Sequence, residues 1–272
     1  MSVTEAALVL SDGSLFEGEA IGARPEGGVS TGEVVFNTVL AGYQEVLSDP
    51  SYAGQIVTFT YPHIGNYGSA GADDESPTPR CAGVVVRDLA RRHSSWRAEA
   101  SLEDWLKRHG IAGIAGVDTR RLTRHLRNHG AVPGAFGTAS EAEVRAAAAS
   151  ALGTDDTDLT RVVTTSKPYV LAGGPRRVVA VDYGIKRSLF AHLQPIAGVT
   201  VVPAGFSADD ILALEPDGVL LSNGPGAPAA VTHAPAMIAE LLGRVPVFGV
   251  CMAKAMRRPS GAAGASSAAS SA

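Results

Sequence analysis

Val245-Pro246-Val247-Phe248-Gly249-Val250-Cys251-Met252 reads as a β-strand that runs into a tight bend and then a short helix. The β-branched residues favour extended backbone, and the run ends in Gly249-Val250-Cys251 before a short helical pattern. A cysteine held on such a bend stands clear at the carboxyl edge of a sheet, in the geometry of a nucleophile elbow with sulfur in place of oxygen. The unpaired N–H groups of a following helix would stabilise a thiolate there. The plainer reading of a cysteine at a strand end is a small buried hydrophobe.

Upstream, from Arg177, strand and helix patterns alternate. Val178–Val181, Val199–Val202, Gly218–Leu221 and Val245–Val250 are strand candidates, separated by helix candidates Lys186–Leu193, Ala208–Leu214 and Pro235–Leu242. Such alternation implies a parallel sheet covered on both faces, with ligands bound beyond the strand carboxyl ends. Ser222-Asn223-Gly224-Pro225-Gly226 follows one of those ends, and the Cys251 bend follows another. Glycines let backbone approach a ligand closely and offer N–H groups to an oxyanion, so the main-chain amides of Met252 and of Gly224 or Gly226 are candidate oxyanion donors. An ordinary Asn-Gly-Pro-Gly turn is the alternative for that loop.

The first half has a different texture, rich in glycine and β-branched residues. Ala6–Leu10 and Ser14–Phe16 flank a Ser11-Asp12-Gly13 turn, and Glu33–Asn37, Gln55–Thr60 and Ala82–Val86 are further strands. Helices are expected over Ser101–His109 and Asp118–His129, each with a capping residue first and a glycine after, and over the alanine-rich Glu141–Ala151. Lys167–Pro175 carries two prolines and two glycines and reads as a connector. The boundaries that follow are a domain over 1–150, a linker over 151–175, a second domain over 176–258, and a Ser/Gly/Ala tail over 259–272 too poor in apolar bulk to order.

With 272 residues, 45% of them hydrophobic, and a formal net charge of −4, the chain has no global basic field to recruit nucleic acid or an anionic membrane. Its two cysteines, Cys81 and Cys251, lie far apart without a leader-like N-terminus, which fits a reducing cytoplasm. No apolar run approaches the ~20 residues of a membrane span. The histidines match no zinc signature, and no metal site is expected. Asp73-Asp74-Glu75 has the ordinary reading of a solvated loop, and Cys81 that of a structural residue. Arg120, Arg121, Arg124 and Arg127 form a basic helix face, which is either a solvated surface or a contact for an acidic partner.

Gly32-Glu33-Val34-Val35-Phe36-Asn37-Thr38, Gly42-Tyr43-Gln44-Glu45, Asp49-Pro50-Ser51-Tyr52, Tyr61-Pro62-His63-Ile64-Gly65-Asn66 and Asp118-Thr119-Arg120 resemble the N-terminal domain of carbamoyl-phosphate synthase small subunits. Ser222–Gly226 and Phe248–Cys251 resemble the opening half of their class I glutamine amidotransferase domain. The resemblance implies an α/β chain: a β-rich α/β N-terminal domain, then an incomplete parallel-sheet, flavodoxin-like amidotransferase domain.

It implies that Cys251 attacks the side-chain amide of L-glutamine and releases ammonia. A large subunit would consume that ammonia with bicarbonate and ATP to make carbamoyl phosphate for arginine and pyrimidine synthesis. It assigns glutamine binding to Ser51, Gly224, Gly226 and Met252. It places ATP and Mg on the large subunit and no cofactor on this chain.

The chain also departs from the pattern. Ala227 stands where the family usually has Asp, Ala253 where it has Gly, and Ala255 where it has the glutamine-binding Gln; residues 252–272 hold no His, Asp or Glu, whereas the family supplies a His-x-Glu pair near its C-terminus. A nucleophile of this type needs a base and a carboxylate to orient it. The expectation is therefore a C-terminally truncated or frame-shifted small subunit with little glutaminase activity of its own. Its alternative is a non-catalytic module that binds the large subunit. A third reading, an unrelated α/β hydrolase, would need His192 or His233 beside Cys251.

Overall fold

The computed structural model describes residues 4–251 together with Ala253 and Met256; the 259–272 tail, Met252 and Ala255 lie outside the described residues. The first nine strands are β1 (Glu5–Leu10), β2 (Leu15–Gly22), β3 (Val29–Asn37), β4 (Gln55–Phe59), β5 (His63–Ile64), β6 (Gly83–Val85), β7 (Asp88–Leu89), β8 (Ala112–Ala115) and β9 (Val132–Gly137). Among them run helices α1 (Tyr43–Ser48), α2 (Leu102–Arg108) and α3 (Thr119–His129), and α4 (Glu141–Ser150) follows.

Seven of these strands close into a barrel in the order β1-β2-β8-β6-β4-β3-β9, β9 returning to pair with β1. Closure removes the exposed edges of an open sheet. The two-residue period of a strand sends alternate side chains to opposite faces. Ile56 and Val85 accordingly join Leu8, Leu10, Ile114 and Phe136 in one core, while Val57 and Val84 join Tyr43, Leu47, Trp105 and Leu106 under α1 and α2. Val9 points a third way, toward Val144 and Ala148 of α4. Gly83 allows a close approach in this wall: a Cβ there would meet the Phe136 ring at 2.4 Å.

The helix starts follow the caps read from sequence. Ser101 accepts from the Asp104 amide at 3.1 Å, Asp118 from the Arg121 amide at 2.9 Å, and Ser140 forms a full capping box with Glu143. Several elements carried no clear sequence signal, the two-residue β5 and β7 among them. β8 and β9 are glycine-bearing, α1 is only 6 residues, and β2 runs on to Gly22 where the pattern marked only Ser14–Phe16.

The second sheet comprises β10 (Tyr169–Asp182), β11 (Ala197–Pro203), β12 (Gly218–Leu221) and β13 (Val247–Gly249), all parallel in the order β11-β10-β12-β13. With α5 (Thr160–Val163) before it, it carries α6 (Arg187–Leu193) on one face and α7 (Ala208–Ala213) with α8 (Ala234–Leu241) on the other. Val179 and Val181 face α7 and α8, and Ala180 faces α6. The α/β class expected from the alternation is the architecture observed.

One local reading is corrected. Lys167–Pro175 is not a bare connector, because β10 begins at Tyr169 and pairs with β11 through repeated register shifts that absorb its glycines and proline. No described helix is long and apolar enough to cross a membrane.

Candidate active site

β12 ends at Leu221, and the next two residues lock the loop that follows. Ser222 Oγ accepts from the Tyr183 amide at 3.0 Å and donates to the Asn223 carbonyl at 2.7 Å. Asn223 is only 3% exposed, so its amide must find partners inside the protein. Its Nδ2 donates to the Gly184 carbonyl at 2.8 Å and to Ser51 Oγ at 2.9 Å, and its Oδ1 accepts from the Lys186 amide at 3.3 Å. Ser51 belongs to the barrel domain. The glycine loop and the serine that the resemblance assigns to one substrate are thus adjoining residues of the two domains.

The Ser51 side of the seam is a short turn. Asp49 Oδ1 accepts from the Ser51 amide at 2.8 Å, and Lys186 Nζ stands 3.5 Å from Asp49 Oδ2. Burial pushes the Asp49 carboxyl above its ordinary range, with the Ser51 amide and the Lys186 charge opposing. Burial likewise raises the Tyr52 phenol, with the Asn37 hydrogen bond opposing. Tyr52 OH accepts from Asn37 Nδ2 at 2.8 Å.

The loop has no room for larger residues. At Gly184, φ is +125°, and a Cβ would meet Val163, Pro50 and Pro225 at 3.0–3.2 Å. Gly226 has φ +75° and backs onto the carbonyls of Thr154 and Thr157. The segment between the domains is therefore a packed strap: Thr154 Oγ1 donates to Glu33 Oε2 at 2.9 Å on the barrel while its backbone supports the loop.

Cys251 lies just past β13. Val250 N donates to the Leu221 carbonyl at 3.0 Å, and Cys251 follows exposed at φ +54°, the left-handed region that side-chain-bearing residues rarely occupy. Ala253, buried and helical, donates to the Val250 carbonyl at 3.2 Å. The strand thus ends before Cys251 and the helical Ala253 comes after it, in the order the octapeptide pattern predicts, while the left-handed backbone at Cys251 is seen only in the structure. Met252 lies outside the described residues. Cys81 is the opposite case, a buried thiol that burial pushes up to about 12.

Among the described residues no histidine hydrogen-bonds the Cys251 sulfur. His233 Nε2 is engaged with the Ala204 carbonyl at 3.0 Å, and His192 lies in α6. Sequence reading missed Asn223, Asp49 and Lys186 as seam residues. Their only signal was a polar side chain at a strand end or beside a resemblance motif.

Asp73-Asp74-Glu75 is also corrected, since this is not a solvated loop. Asp74 accepts from Gln44 Nε2 at 2.7 Å and Trp105 Nε1 at 3.0 Å, and Glu75 accepts from the Ser188 amide of α6 at 2.8 Å. A cavity of about 640 Å³ opens beside it between Pro50, Arg80, Thr165, Asp182 and Arg187.

The family described as "Carbamoyl-phosphate synthase small chain, CPSase domain" matches residues 8–136, and "Glutamine amidotransferase class-I" matches 179–256. A protein named carbamoyl phosphate synthase small chain from Xylella fastidiosa (strain Temecula1 / ATCC 700964) is 48% identical over 265 residues, covering 91% of this chain and 70% of its own. Relatives of the same name from Syntrophotalea carbinolica (45% identical, 91% and 70% covered) and a Synechococcus species (46%, 93% and 69%) agree. An aminopeptidase structure from Aneurinibacillus sp. strain AM-1 covers 81% of this chain and 57% of its own at 11% identity and a TM-score of 0.30, too slight a likeness to bear on fold or function. A barrel domain and a parallel amidotransferase sheet meeting at Ser51 and Asn223, with relatives this similar over most of both chains, make the chain a member of the carbamoyl-phosphate synthase small-chain family.

Proposed function

We propose that this chain is a glutamine-hydrolysing small subunit of carbamoyl-phosphate synthase, with Cys251 as its nucleophile. The observation that supports this most is the exposed, left-handed bend at Cys251 between a strand and a helical residue. A residue strained in this way persists only where its surroundings impose it, and such strain collects at working sites.

In the reaction, a thiolate at Cys251 adds to the amide carbon of glutamine and the carbonyl oxygen takes up the negative charge. Backbone amides of Gly224 and Met252 receive that charge, each donor contributing about 3–4 kcal/mol in such sites. A proton passed to nitrogen lets ammonia leave as the C–N bond breaks. Water then opens the thioester to glutamate and frees the sulfur. Ser51, Gly224 and Gly226 hold the substrate's polar groups across the seam.

The family supplies the proton carrier from a His-x-Glu pair, and residues 252–272 contain neither residue type. ATP and Mg act on the large subunit, which joins the ammonia to bicarbonate in the cytoplasm for arginine and pyrimidine synthesis. A purely binding role for this chain is the competing reading, and the relatives favour hydrolysis over it.

The test needs no complete triad. A diazoketone analogue of glutamine should alkylate Cys251 and spare Cys81, and Ser51→Ala should slow that labelling by about tenfold or more. Peptide mass mapping that finds the label on Cys81, or nowhere, would refute the assignment.

A further inference from the structure

The basic side chains of α3 divide by what they touch. On one flank the side chains are engaged by the barrel: Arg121 donates to the Leu15 carbonyl at 2.6 Å and lies 4.0 Å over the Phe16 ring, and His125 Nε2 stands 2.8 Å from Asp12 Oδ2. On the other flank Arg120, Arg124 and Arg127 are exposed and have no ion pair or hydrogen bond among the described residues. Spaced four and three apart, they form one stripe about 10 Å long on a rigid helix. Like charges at these spacings repel, so the stripe is most favourable against negative charge.

The surface beside the stripe is shaped. A hollow of about 440 Å³ lies between Arg120, Arg124, Arg127, Thr60 and Thr123, and the Thr123 hydroxyl that lines it is buried without a hydrogen-bond partner. A second hollow, of about 460 Å³, begins at Arg120 and Arg124 and runs toward His129. Guanidinium groups flanked by concave surface suit planar carboxylates, which they bind with two parallel hydrogen bonds.

We propose that the Arg120–Arg124–Arg127 stripe docks an acidic face of the large subunit, an inference that rests on the small-subunit reading above. The chain as a whole carries −4, so a nucleic acid extending past this short stripe would meet repulsion. A compact cluster of carboxylates on a folded partner meets none, and fits the length of the stripe.

Binding of the full chain to its cognate large subunit, followed by interferometry at low and moderate salt, tests this. The wild-type complex should weaken as salt rises, and Arg120→Glu/Arg124→Glu should weaken it at low salt by roughly tenfold or more with an unchanged thermal midpoint. Arg120→Lys/Arg124→Lys, which keeps the charge, should retain most of the affinity. Should the double reversal fail to fold, Arg127→Glu alone is judged by the same criterion.

Equal binding by wild type and reversal variant would overturn the docking surface and leave the small-subunit reading standing. No binding by wild type would overturn both. Inorganic phosphate that raises the midpoint of wild type only, or labelled single-stranded RNA that binds wild type only, overturns the proposal if large-subunit binding survives reversal.

Discussion

Burial works against the Asp49 carboxylate although Lys186 stands 3.5 Å away, because most of the solvation a carboxylate enjoys in water is lost at the domain seam. A carboxyl raised in this way binds its proton more tightly in the folded chain than in the unfolded one. Its contribution to stability is therefore fullest below the ordinary value of 3.8 and is lost as pH rises through the raised value. Asp49→Asn keeps an oxygen for the Ser51 amide and removes the titration. In urea unfolding, the variant should gain on wild type as pH is taken from below 3.8 to neutrality. A gap that stays constant would mean that the Lys186 pair balances desolvation, and one that moves toward wild type that it outweighs it. Neighbouring residues show how unevenly sequence exposes such roles. The Cys251 bend was readable from eight residues, whereas Asn223 reads as one more turn-former until its amide is seen to bond four backbone or side-chain groups.

At the scale of elements, capping made the longer helices legible. Ser101, Asp118 and Ser140 sit where a side-chain oxygen can satisfy a free amide, and that depends only on neighbours within three positions. The strands divide by the same criterion. β1 and β4 carry their own apolar alternation, but β8 and β9 contain glycines whose place in a wall is decided by what packs against them. β10 shows the limit most clearly, since a Gly-Gly-Pro run that locally breaks structure is held extended by its partner β11. β13 is the outermost strand of the described sheet, and its Phe248 is 67% exposed. An apolar ring on an unpaired edge invites association with another chain. Phe248→Ser should lower light scattering on heating while changing the unfolding free energy by no more than about 0.5 kcal/mol, as expected of an exposed position. Unchanged scattering would place the sticky surface elsewhere.

Across the whole molecule, the two domains are joined at one polar seam. Asn223 crosses it to Ser51, Lys186 to Asp49, and Glu75 to the start of α6. Removing one partner from a buried hydrogen-bond network leaves the others unsatisfied, at about 1–3 kcal/mol per group. Asn223→Ala should cost that much and loosen the coupling between domains, so that a single calorimetric transition splits into two. A variant that still unfolds in one step would show that the packed strap around Thr154 couples the domains without the seam.

Local patterns in the amino-acid order determined the two-part α/β class, the sense of the parallel sheet, the helix caps and the strand-to-helix bend at Cys251. These depend on backbone sterics and hydrophobic periods that act over a few residues. Barrel closure, the strap, and the meeting of Ser51 with Asn223 across 172 positions were decided only in the folded chain. Contacts so distant in sequence leave no periodic trace, and they form because buried polar groups and apolar faces find their partners only when both domains have packed.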